Sequence, residues 1–123
     1  QCFVHAKLCK NVAHSSIVFL SSKIYIDFGH HPGKDRLPRE AAIHGCCVIT
    51  GKNGSAENPL DVNIPDGCKF SERDSNFEEK VGVLVESIFN NFNQHFLSFA
   101  PYRATISLEQ KEFDQQIKKA FNL

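Results

Sequence analysis

Alternation of polar and apolar residues opens the chain, and helical spacing closes it. Val4, Ala6 and Leu8 fall on one side of an extended segment and Phe3, His5 and Lys7 on the other, which predicts a half-buried strand over Cys2 to Leu8. Ile17-Val18-Phe19-Leu20 and Ile24-Tyr25-Ile26-Asp27-Phe28 are two more apolar runs. Ser21-Ser22-Lys23 between them predicts a short hairpin, or one long strand with a bulge. Gly29 to Glu40 has two prolines, two glycines and no apolar period, so it reads as a long surface loop. Ala41 to Thr50 resumes as a strand, and Gly51-Lys52-Asn53-Gly54 carries the Asn-Gly pair of a tight hairpin turn. Leu60, Val62 and Ile64 then alternate with Asp61 and Asn63 as the partner strand, ended by Pro65-Asp66-Gly67.

From Ser75 the period changes. Ser75 and Glu78 have capping-box spacing, and Val81, Leu84, Val85, Ile88, Phe89, Phe92 and Phe96 follow at three- and four-residue steps. Pro101 closes this helix, Tyr102 to Ile106 alternates as a strand, and Ser107 with Gln110 offers a second capping box. Phe113, Ile117, Ala120 and Phe121 then stripe a last helix. Strands first and helices later predict a single α+β domain over 1–123. Its antiparallel or mixed sheet has about five to six strands, two C-terminal helices pack on one face, and disulfides stabilise it. The 11 phenylalanines, with no tryptophan, are expected to fill the space between the layers.

Charge changes the picture by exclusion. With 14 basic and 14 acidic side chains, 23% charged and 41% apolar residues, the chain is neither a disordered tail nor a strongly charged polymer binder. Nucleic acid is therefore not favoured as a main partner. No run approaches the ~18 apolar residues of a membrane span. The chain starts at Gln1 and contains no Met, which predicts a processed, secreted product, with simple removal of the initiator as the plainer alternative. Asn53-Gly54-Ser55 is a glycosylation acceptor triplet inside a turn.

Five cysteines sharpen this expectation, because an odd count leaves one thiol over. On a strand Cys46 and Cys47 face opposite ways, so a bond between them is the least favoured pairing. Cys46 or Cys47 is expected to pair with Cys68. Cys2 and Cys9 then supply a bridge to the second half or the spare thiol, through which two chains could be linked.

Chemistry is thinly signalled. His44 and Cys46, joined by His30 or His31, offer zinc ligands without the paired spacing of a zinc motif. His44 and Cys46 as base and nucleophile would stand about 7 Å apart on a strand, beyond hydrogen-bond reach. His30, His31 and Glu40, with Lys34 and Arg36 beside them, hold the acid, base and phosphate-binding groups of a ribonuclease-type hydrolase. A solvated polar loop explains the same residues more simply. No Gly-rich phosphate loop, serine elbow or other cofactor motif is present, and no cofactor is expected. The expected function is that of a small secreted protein binding a macromolecular partner, effector-like, toxin-like or host-directed. His30, His31, Lys34, Asp35, Arg36 and Arg39 form its contact loop. A ribonuclease-type hydrolase and a metal-binding module are the alternatives.

Overall fold

The computed structural model describes residues 4–6, 19–29, 36–52 and 62–122, Val4–Ala6 and Arg36 through the backbone alone. Among them four strands form one sheet: β1 (Val4–Ala6), β2 (Ile24–Asp27), β3 (Cys47–Gly51) and β4 (Lys69–Phe70). Their spatial order, β1-β2-β3-β4, is their order in sequence, and every adjacent pair is parallel. The helices are α1 (Arg36–Ile43), α2 (Phe77–Asn90), α3 (Phe92–Ser98) and α4 (Ala100–Ala120).

This corrects the expected fold on three counts. The sheet is parallel and smaller than the expected five or six antiparallel or mixed strands. Three helices, not two, follow it. No disulfide braces it among the described residues, since Cys46, Cys47 and Cys68 are free thiols. The pairing of Cys46 or Cys47 with Cys68 is thereby overturned, while Cys2 and Cys9 lie outside the described residues.

Parallel strands need a crossover of a dozen residues or more, and the chain between Asp27 and Cys47 supplies one. Its helix, α1, occupies what reads from sequence as loop and strand. Pro38 falls in the first turn, where a missing N–H goes unnoticed, and Pro38, Ala41 and Ala42 are buried at helical spacing. A glycine closes α1: Gly45 adopts φ 96°, its N–H reaches the carbonyl of Ala42 at 3.1 Å, and that of Cys46 reaches Ala41 at 2.9 Å. These are the two bonds of a Schellman cap, which needs a left-handed residue. The cap turns the chain directly into β3.

All five residues of β3 are buried. Cys47-Val48-Ile49 is a continuous apolar run, as expected of a parallel strand covered on both faces. Residues in register share a face, so Ile24, Ile26, Cys47 and Ile49 look one way and Tyr25, Asp27, Val48 and Thr50 the other. On the second face the ring of Phe19 meets Tyr25 edge-on at 5.6 Å. Phe28, just past β2, meets Phe77 of α2 at 4.9 Å. Cys46, on the threshold of β3, donates its S–H toward the carbonyls of Phe19 and Ser22, both at 3.3 Å, which ties the entries of β2 and β3 together.

The long apolar stripe is carried by two helices, because Asn91 leaves helical geometry at φ −133°. Ser87 and His95 hydrogen-bond across that break at 3.0 Å. The box of Ser75 and Glu78 is not formed: the α2 cap is Asn76, whose N–H is held by Asp74 Oδ1 at 3.0 Å. Tyr102 to Ile106 is helix rather than strand, and Pro101 opens α4 instead of ending its predecessor. Phe99, Tyr102 and Ile106 lock α4 into the core with Ile88. Each such ring or branched side chain contributes roughly 1.5–3 kcal/mol. No helix among the described residues is long and apolar enough to cross a membrane.

Candidate functional site

Three polar side chains stand side by side where the strands end. Thr50 is in register with Asp27 on one side and with Lys69 on the other, so all three project from one face of β2, β3 and β4 near their carboxyl ends. Adjacent strands lie about 4.8 Å apart, which puts Asp27 and Lys69 at the two ends of a row about 10 Å long. Asp27 is 2%, Thr50 0% and Lys69 8% exposed, and the rest of β2 and β3 is Ile, Tyr, Cys, Val and Gly.

Each member has a different electrostatic situation. Asp27 is held fast: Tyr25 donates its hydroxyl to Oδ2 at 3.0 Å, and the N–H of Gly29 reaches Oδ1 at 2.9 Å. Thr50 Oγ1 is buried with no hydrogen-bond partner, an arrangement that costs about 1–3 kcal/mol. Burial lowers the pKa of Lys69 below its ordinary 10.5; Asp66 pulls it back up and Lys52 pushes it further down. An unmatched hydroxyl beside a desolvated ammonium is poorly explained by stability alone. In open α/β sheets, ligands bind outside the carboxyl ends of the strands.

None of the described residues singled out from sequence belongs to this row. His30, His31, Lys34 and Asp35 belong to the connection from β2 to α1, and they lie, like Asn53, outside the described residues. Arg36 opens α1, whose first turn has no acidic residue. Arg39 is taken by Glu109 of α4, at 2.8 Å. Glu40 faces its own helix end through its carbonyl, which meets the N–H of His44 at 3.0 Å and ring Nδ1 of His44 at 2.7 Å. His44 and Cys46 are thus each bonded to backbone carbonyls, and no group of three metal-binding side chains occurs among the described residues. Asp27, Thr50 and Lys69 were missed from sequence. The available signal was a polar residue closing each of two apolar runs.

The buried thiols are chemically quiet. Burial raises Cys46 to about 12 and Cys68 to about 11. Cys47 rises to about 12 through burial first, then through Cys68 and Cys46, with Arg103 opposing. None is a thiolate at neutral pH, so none is a ready nucleophile.

A separate hollow of about 540 Å³ lies between β4 and α2, lined in part by Phe70, Val83, Leu84, Lys80 and Ser87. Phe70 and Lys69 are successive residues of β4, so this hollow opens on the other face from the polar row. Ser87 and His95 are within reach for a nucleophile and its base, but no second hydrogen bond orients the His95 ring among the described residues.

These features define a parallel α/β domain with a polar row at the carboxyl edge of its sheet. No protein-family model, no curated protein and no solved structure matches the chain.

Proposed function

We propose that the chain binds a small hydroxylated anion, one bearing a phosphate or carboxylate group, at the Asp27–Thr50–Lys69 row. The observation that carries this is the buried, unpartnered hydroxyl of Thr50, in register with Lys69, whose pKa is lowered by burial. An anionic oxygen accepts from both, and charge-assisted bonds in a dry site are the strong ones. At the other end of the row Asp27, oriented by the Tyr25 hydroxyl and the Gly29 N–H, supplies carboxylate acceptors whose chemistry suits a ligand hydroxyl.

Calorimetric titration with inorganic phosphate, a hexose phosphate and a hydroxy acid tests this. Saturable binding to at least one probe is expected, weakened at least tenfold in Lys69→Met and in Thr50→Val. Silence toward every probe, or equal affinity in the parent and both variants, overturns it.

The broader proposal, a secreted protein that works by binding a macromolecule, draws on a different observation. Val83, Leu97, Leu108, Phe113 and Phe121 are all more than half exposed. Such apolar surface is typical of contact sites. A fluorescent apolar dye should bind this surface, and less well in the Leu97→Ser, Leu108→Ser pair; an unchanged signal overturns it.

A further inference from the structure

We propose that Ser87 is a nucleophile, with His95 as its base, that takes acyl groups from esters whose apolar chain lies in the hollow between β4 and α2. The backbone assembles the pair. Asn91, the residue at which α2 gives way to α3, donates its N–H to the carbonyl of Ser87 at 2.9 Å and accepts from the N–H of His95 at 3.2 Å. Both side chains are half-buried, and Ser87 Oγ lies 3.0 Å from His95 Nε2. General-base activation of a hydroxyl needs that separation. Among the described residues no side chain holds the ring from behind, so the arrangement is a dyad whose geometry is set by Asn91.

The hollow supplies the second observation and the substrate class. Ser87 lines it together with Val83 and Leu84, one turn earlier on the same face of α2, and with Phe70 of β4. Its volume of about 540 Å³ is that of a small-molecule site. Lys80 lies two turns before Ser87, about 10 Å along the helix axis, so an apolar wall runs between a reactive end and a polar one. Because Asp74 already holds the Lys80 ammonium, the polar end asks for no anionic group, and a neutral ester of a medium-chain acid fits. In the tautomer with its ring proton on Nδ1, His95 accepts the hydroxyl proton at Nε2 as Ser87 Oγ bonds to the acyl carbon. The ester C–O bond then breaks, and the leaving alkoxide takes that proton from His95. Water completes the cycle: its oxygen bonds to the acyl carbon, one of its protons passes to Nε2, and Ser87 Oγ leaves and recovers that proton.

Incubation of the full chain with p-nitrophenyl octanoate, followed by an acid quench and peptide mass spectrometry, tests this, with circular dichroism to confirm that each variant folds. An octanoyl group on Ser87 and release of p-nitrophenol are expected. Both are abolished in Ser87→Ala and slowed about 100-fold in His95→Gln. The octanoate ester reacts roughly tenfold faster than the acetate ester, because its methylenes are buried in the hollow. Val83→Asp, at an exposed position on the wall, shrinks that preference. An acyl group found only on other residues, release that persists unchanged in Ser87→Ala, no dependence on His95, or equal rates for the two esters each overturns the proposal.

Discussion

The carboxyl edge of the sheet and the free half of α4 break the same rule in opposite directions. At the edge, polar groups are buried and one hydroxyl has no partner; on α4, phenylalanines stand in water. Each departure lowers the stability of the isolated chain. They differ in what would relieve them: a small polar ligand at the edge, an apolar surface on the helix. Both lie away from the centre of the fold, where Ile24, Val48, Ile49 and Ile88 are completely buried in agreement with their chemistry. The comparison teaches that stability is held in the middle and given up at two ends.

The largest expected effect on that middle comes from alkali. A thiol whose pKa rises on folding stabilises the fold while it stays protonated, so the contribution is intact below its ordinary value of 9.0. For the three thiols it is lost as the pH climbs from about 9 toward 11–12. Lys69 acts in the other sense, lending stability as the pH rises toward 10.5, but it is one group against three. Denaturant midpoints measured from pH 7 to 11 should fall steeply above about 9. The three thiols should also resist alkylation until the chain unfolds. Next, Ile49→Ala should cost roughly 2–5 kcal/mol by chemical denaturation of the ligand-free chain.

Smaller changes separate the regions. Gly45→Ala places a Cβ at positive φ, 3.6 Å from the Phe96 ring, and should cost about 1–2 kcal/mol by strain in the α1 cap rather than by a clash. Thr50→Val should instead gain about 1 kcal/mol in the free protein, because it removes a buried hydroxyl that has no partner. If the variant is destabilised, the hydroxyl was satisfied and the contrast at the edge disappears. Phe121→Ser should change the stability of the dilute chain by no more than about 0.5 kcal/mol, in keeping with a side chain the single chain does not use.

The sequence makes some of this legible. Ile24-Tyr25-Ile26 and Cys47-Val48-Ile49 are strands in the fold, as their apolar runs imply, and the change of period after Ser75 marks where α2 begins. Strand direction is harder to see, because a buried parallel strand and a short antiparallel one leave the same run of Ile and Val. The unbroken burial of β3, without polar alternation, was the clue. Pro38 misled because proline breaks a helix interior but suits a first turn. Tyr102 and Ile106 misled because a spacing of four fits both a strand face and a helix face. The polar row needs three strands in register, which no single segment encodes. Disulfides seemed indicated because cysteine count is visible from sequence, whereas the burial that makes Cys46, Cys47 and Cys68 ordinary core residues is not.

The order of the strands has a consequence for how the molecule is made. Each strand pairs only with the one before it and the one after it, so none has to wait for a distant partner. On a ribosome, β1 to β4 can zip together in the sequence in which they emerge, with α1 docking between β2 and β3. Helices α2 to α4 follow all four strands in the chain. The exposed phenylalanines of α4 therefore emerge only after every strand of the sheet is available to pair.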